Sequence, residues 1–265
     1  MTTRQRPVTD AAGAPIAGAI VAAGVGPRHL DYEGERLIEH WTARTAETDQ
    51  AGYFAIDGLP TGVLPVAIRG DGYGLWRTEV TIERHEATVI AARLELAATL
   101  VGTVTDGEGN PLPKASIRVY DREPRTPFVA GGQIDFDETF GYRAALAGND
   151  GTYRVTGVTP GTAHAIAQQH SDRREREGVT VAYHQAALEI APGDEARWDP
   201  VIDEGLSIEG RALYADGFPI PNLFINLADE TEGGKKHVLI SSREGVFRFL
   251  CLEDTTYEIR MQTPL

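Results

Sequence analysis

The sequence predicts an all-β chain made of three tandem antiparallel β-sandwiches, the third expected to lack its closing strands. Three observations predict it. A turn signal built on Asp, Gly and Pro recurs three times, a Gly-x-aromatic-x-apolar signal follows each copy, and no segment reads as an amphipathic helix capped at both ends. With 29 Gly and 15 Pro in 265 residues, the chain is rich in the residues that tight turns require. Short alternating runs at close spacing between such turns are the pattern of a sandwich.

The turn signal comes first in each copy. It reads Thr9-Asp10 to Gly13 and Pro15, then Thr105-Asp106 to Gly109 and Pro111, then Ala215-Asp216-Gly217 to Pro219. Asp bonds the backbone just ahead of it, Gly takes φ > 0 and Pro fixes φ. The strand signal begins at Gly52, Gly151 and Gly245. Two residues on stand Phe54, Tyr153 and Phe247, four on Ile56, Val155 and Phe249, and seven on Leu59, Val158 and Leu252. Strict alternation puts these large side chains on one buried face. Pro60 and Pro160 end the first two copies, and alternating runs follow at Val66–Ile68, Ala163–Ala165 and Tyr257–Met261. Further strands are expected at Glu79–Ile82, Ala87–Leu96, Leu100–Thr105, Ser116–Tyr120, Val179–Tyr183, Ala186–Ile190, Leu206–Leu213 and Lys236–Ile240. Boundaries near Ala98 and Gly205 divide the chain into 1–98, 99–204 and 205–265. The third unit stops just after its Tyr257–Met261 run, so it is expected to be incomplete and to leave a sheet edge uncovered.

The pattern Asp-x-x-Gly-x-Pro-Ile/Leu followed by Gly-x-Phe/Tyr-x-Ile/Val resembles the carboxypeptidase regulatory-like domain. The resemblance covers most of residues 8–203 and is weaker over 206–261. It implies a transthyretin-like, Ig-like sandwich of about seven strands. It also implies a non-catalytic role, as tandem spacer or adhesive modules of secreted or cell-surface bacterial proteins or, more distantly, as an accessory domain of a zinc carboxypeptidase. The implied compartment is extracellular or the cell envelope. The N-terminus, Met1 to Pro7, has no apolar secretion signal, so the chain reads either as cytoplasmic or as a piece of a longer protein.

Enzyme chemistry finds no constellation. None of the seven histidines begins the His-x-x-Glu pair of a zinc peptidase, and His85-Glu86 has Val89 where a second ligand would stand. The Gly151–Gly161 run resembles that of intradiol dioxygenases, but Thr162-Ala163-His164-Ala165 follows without the tyrosine and paired histidines that hold iron. Lys–Asn crosslinks of the kind found in collagen-adhesin repeats need a desolvated lysine, and the first unit contains none. Cys251 stands where the other copies have Gly58 and Gly157, and reads as a small buried thiol, not a nucleophile. The repeated aspartates read as Asx-turns, each with too few oxygens for calcium. No catalytic residue, metal site or cofactor is therefore expected, and the chain is read as a non-enzyme.

The net charge of −14 argues against a phosphate-backbone partner, and no apolar stretch is long enough to span a membrane. Binding, where present, is expected on the two long loops, Gly24–Trp41 and Asp121–Tyr142. Tyr32, Trp41, Phe136 and Tyr142 are the candidate binding residues, since flat rings stack on sugars or anchor a protein. A carbohydrate or another surface protein is the expected partner. Trp76 and Trp198 are expected in the core.

Overall fold

The computed structural model describes residues 7–24, 44–84, 86–122, 142–169, 178–229 and 236–262. Among them there is no helix, and the strands fall into three groups along the chain.

The central group is the fullest. One of its sheets runs β10-β9-β12-β13, built from β9 (Ser116–Tyr120), β10 (Tyr142–Leu146), β12 (Gly161–Gln168) and β13 (Tyr183–Ile190). The facing sheet runs β11-β7-β14, from β7 (Ala98–Thr103), β11 (Thr152–Val158) and β14 (Glu195–Arg197). β8 (Thr105–Asp106) and β15 (Val201–Ile202) pair beside it. β7 alternates buried and half-buried residues, and its Leu100 meets Ile117, Val155 and Ala165 between the sheets. The period of two thus buries one face of each sheet against the other, which is the sandwich the sequence predicts.

The N-terminal group repeats this plan with β1 (Val8–Thr9), β2 (Ile20–Ala23), β3 (Arg44–Glu47), β4 (Gly62–Arg69), β5 (Trp76–Ile82) and β6 (Ala92–Arg93). Its sheet β3-β2-β4-β5 corresponds to β10-β9-β12-β13, and Val8, Val21, Ile68 and Leu94 are fully buried beneath it. In the C-terminal group, β16 (Leu206–Arg211) pairs with β19 (Val246–Leu252), facing the sheet β18-β17-β20. That sheet comprises β17 (Phe224–Asp229), β18 (Lys236–Ile240) and β20 (Tyr257–Gln262). Ile225, Leu227, Leu239 and Phe249 form its core. Counterparts of β13, β14 and β15 are not among the described residues of this group.

The first and last strands of the complete groups run parallel. β1 lies beside β6 with Val8 opposite Ala92, β7 beside β14 with Leu100 opposite Ala196, and β8 beside β15 with Thr105 opposite Val201.

The repeated turns are Asx-turns. Asp10 accepts the amides of Ala12 and Ala14, Asp106 those of Glu108 and Asn110, and Asp216 that of Phe218. At the second signal Asp49 accepts from Ala51 and Tyr53, Asp150 from Thr152, and Ser242 replaces the carboxylate in the third copy. The glycine of that signal is required twice over. Gly52, Gly151 and Gly245 have φ of +79°, +75° and +75°, and a Cβ on each would lie 2.4–2.6 Å from a backbone oxygen of the preceding turn strand.

Three expected strands differ. Tyr53–Gly58, the first copy of the glycine-aromatic stretch, carries half-buried Phe54 and Ile56 but forms no ladder. Its counterpart β11 pairs with β7, and by the repeat the residues matching β7 are 2–7, mostly outside the described range. Of the expected strand Ala87–Leu96, β6 alone forms a ladder, and Leu96 makes an isolated bridge to Tyr73. Val179–Tyr183 is not a strand of the central sheet either. Val179 instead bridges Arg248 of the C-terminal group, and only Tyr183 joins β13.

Candidate functional site

Tyr32, Trp41 and Phe136, the candidate binding residues on the two long loops, lie outside the described residues. Tyr142 is described, and it is not a loop residue: it opens β10, directly opposite Tyr120 on β9. The two rings sit 5.5 Å apart at 40°, and the Arg118 guanidinium lies 5.9 Å from the Tyr142 centroid. One face of the Tyr142 ring is therefore already covered by protein. Burial raises the pKa of the Tyr120 hydroxyl above its usual range. The cavity beside this pair, lined by Arg69, Asp121, Tyr142 and Arg143, holds only about 10 Å³, no more room than one water needs. Trp198 packs on the central core, as expected for a core tryptophan.

What Tyr120 and Tyr142 border is the joint between the N-terminal and central groups. Arg69, at the end of the apolar strand β4, is only 8% exposed, and its guanidinium donates to the Gly157 carbonyl at 3.1 Å. Arg143 donates to the same oxygen at 3.3 Å. Gly157 has φ +74°, which favours glycine, and a Cβ there would press on the flexible end of Arg143. Arg77 on β5 forms a bidentate pair with Asp121, at 2.6 and 3.3 Å. Between these charged contacts the Leu75 amide donates to the Thr159 hydroxyl at 3.0 Å. Leu75 packs with Ala22 and Ala67 on the outer face of the sheet, and Gly74 presses on Pro160.

The joint between the central and C-terminal groups uses corresponding elements. The connection from β4 to β5 makes the first joint; the connection from β12 to β13 makes the second, seated on β19, the counterpart of β11. Arg248 donates its amide to Gly178 O at 2.6 Å and accepts the Thr180 amide at 2.9 Å, while Leu250 N donates to the Thr180 hydroxyl at 2.8 Å. A Cβ on Gly178 would lie 2.1 Å from the Val246 oxygen. Leu250, on the outer face of β19, is buried in the central core. Arg248 also holds Glu204 at 2.9 Å.

Cys251 belongs to this second joint. It is half-buried, with φ +57° where its counterparts are Gly58 and Gly157. The Tyr183 amide donates to its sulfur at 3.3 Å, and the thiol faces the Asp203 carbonyl at 3.3 Å. Burial raises the thiol pKa, partly opposed by the Tyr183 amide and reinforced by the Asp203 and Glu204 charges. The site therefore suppresses the thiolate, and Cys251 is a junction residue.

An open cleft of about 520 Å³ lies beside the first joint, lined by Trp76, Arg93, Glu95, Thr159 and Pro160 among others. Trp76, half-buried against the N-terminal core, is thus also a cleft residue. Sequence reasoning missed Arg69, Gly178 and this cleft. The signal for Arg69 was a cation closing an otherwise apolar strand; Gly178 had none, because what demands it is the backbone of another group.

Residues 7–95 match the family model of the carboxypeptidase regulatory-like domain. No curated protein matches the chain. Among solved structures it is similar to the TIE protein of Bacillus anthracis, at 16% identity and a TM-score of 0.30 over 96% of this chain and 44% of that one. The chain thus spans less than half of that protein's length. It is also similar to the minor pilin of Streptococcus agalactiae (17% identity, TM-score 0.31, 72% of this chain and 84% of that one). A third is the major pilin subunit of Bacillus cereus (12%, 0.23, 96% and 86%). Scores this low carry no argument about fold or function.

Proposed function

Taking residues 7–95 as a carboxypeptidase regulatory-like domain, we propose that the chain is a non-catalytic structural array. In this reading residues 1–98, 99–204 and 205–265 are tandem modules, and the array spaces or presents other parts of a secreted or cell-surface protein, with another surface protein as partner. The observation that carries it is the repetition of the joint. Twice, the connection after a corresponding strand, β4 or β12, is seated on the next group's glycine-aromatic stretch or on the turn that ends it. Twice, a glycine is pressed against that neighbour. In the first joint the buried Arg69 guanidinium bonds the Gly157 carbonyl across the contact, and in the second the Arg248 backbone bonds Gly178 and Thr180. Inter-module motion is the ordinary expectation for small polar contacts. The first joint desolvates a cation and the second interlocks backbones, and both oppose it, because bending would strand those groups without partners. Small-angle X-ray scattering on the whole chain tests this. A single rigid extended shape should reproduce the profile; a profile that needs a broad ensemble of module angles would sink the reading.

A second reading, carbohydrate binding, is favoured by the cleft at Trp76. An aromatic face beside Arg93 and Glu95 offers stacking together with charged hydrogen-bond partners, the combination a sugar requires. A glycan array comparing the native chain with Trp76→Ala and Tyr142→Ala decides it. Loss with Trp76→Ala alone supports the cleft, loss with Tyr142→Ala supports the Tyr120–Tyr142 pair on the sheet, and silence across the array removes both.

A further inference from the structure

The outer edge of β20 is the feature that the joints leave unexplained. β20 pairs with β17 on one side, and no described strand pairs it on the other. Its counterparts β4 and β12 are paired on that side by β5 and β13. Ile259 and Met261 face the same way as their register partners Leu227 and Ile225, which are fully buried, yet they are 40% and 47% exposed. An edge of this kind is a template for another strand, and its residues restrict which strand fits.

Consider β20 against itself. Two copies related by a twofold axis pair antiparallel, and directly opposed residues share a face. An axis falling between two residues sets inward residues opposite outward ones, so it must pass through a residue. Centred on Arg260 it opposes Arg260 to Arg260; centred on Glu258 it opposes Glu258 to Glu258. Centred on Ile259, it sets Glu258 opposite Arg260 twice, with Tyr257 opposite Met261 twice and Ile259 opposite itself on the inner face. Within one copy Glu258 and Arg260 already bond each other at 2.7 Å, on the outer face and open to solvent. Both are therefore free to exchange partners without unburying a charge.

We propose that β20 is a self-complementary docking edge that joins two copies of this chain through antiparallel β20–β20 pairing centred on Ile259. The two three-stranded sheets become one of six, and Ile259 and Met261 gain cover. This surface does not depend on the array reading, and rigidity could fail while the pairing stands.

Sedimentation equilibrium on the 265-residue chain tests it, at concentrations up to about 100 μM, where weak association registers. A reversible dimer is expected. Glu258→Arg and Arg260→Glu each set like charges opposite one another twice, and each should weaken the dimer about tenfold. The combined swap, E258R with R260E, restores opposite charges and should recover the native association. Both positions are exposed, and circular dichroism will verify that the variants fold. A monomer throughout this range, or a dimer indifferent to the charge reversals, overturns the proposal.

Discussion

Single residues set the repeat through backbone geometry more than through side-chain chemistry. Gly151 must sit at φ +75° with the Val104 oxygen where a Cβ would be, and Gly52 and Gly245 are held identically. Gly151→Ala should therefore destabilise the central group by about 3 kcal/mol, since left-handed backbone and a backbone clash add. Gly109→Ala has open space around it and should cost only the positive-φ penalty, about 1–2 kcal/mol. Urea unfolding midpoints of the two variants will show the ordering. These glycines were legible in the sequence because a turn demands them locally. Cys251 was only half legible: its size and poor nucleophilicity followed from its place on an alternating strand, but its position between groups did not. Its raised pKa gives a further test. In the folded chain alkylation should be slow at neutral pH and should rise only above the range of an ordinary thiol, whereas the unfolded chain should react at lower pH. The unfolded thiol loses its proton first, so this group's contribution to stability falls as pH rises past the unfolded value.

At the scale of elements, the strands followed period and turn chemistry wherever their partners lie close in sequence. β9 and β18 coincide with the runs expected for them. One misreading fell where another group supplies the partner. Val179–Tyr183 has the composition of a strand, yet Val179 and Thr180 make their contacts with β19. β3 and β10 were missed because each is short, with little alternation to announce it. Tyr142 was assigned to a loop for the same reason. Gly178→Ala isolates the second joint, since the atoms nearest its added methyl belong to Val246 and Ser242 of the neighbouring group. Amide exchange at Thr180, Arg248 and Leu250 should quicken by at least tenfold while the protection of β9 and β12 stays unchanged. Uniform loss of protection would mean that the groups fold as one unit and not as joined modules.

Across the whole molecule, no sequence period reveals how one group is set against the next, because that depends on surfaces brought together only after each group has folded. The parallel placement of first and last strands has a mechanical consequence. Since β7 and β14 run the same way, the polypeptide enters the central group at one end and departs at the other, and β1 with β6 does likewise. A pull on the two ends of such a unit acts along its strands. The hydrogen bonds between Thr99–Val101 and Glu195–Arg197 are then loaded together, in shear, and must yield as a set. Had the closing strand run antiparallel, the same tension would peel the ladder open one bond at a time, like a zip.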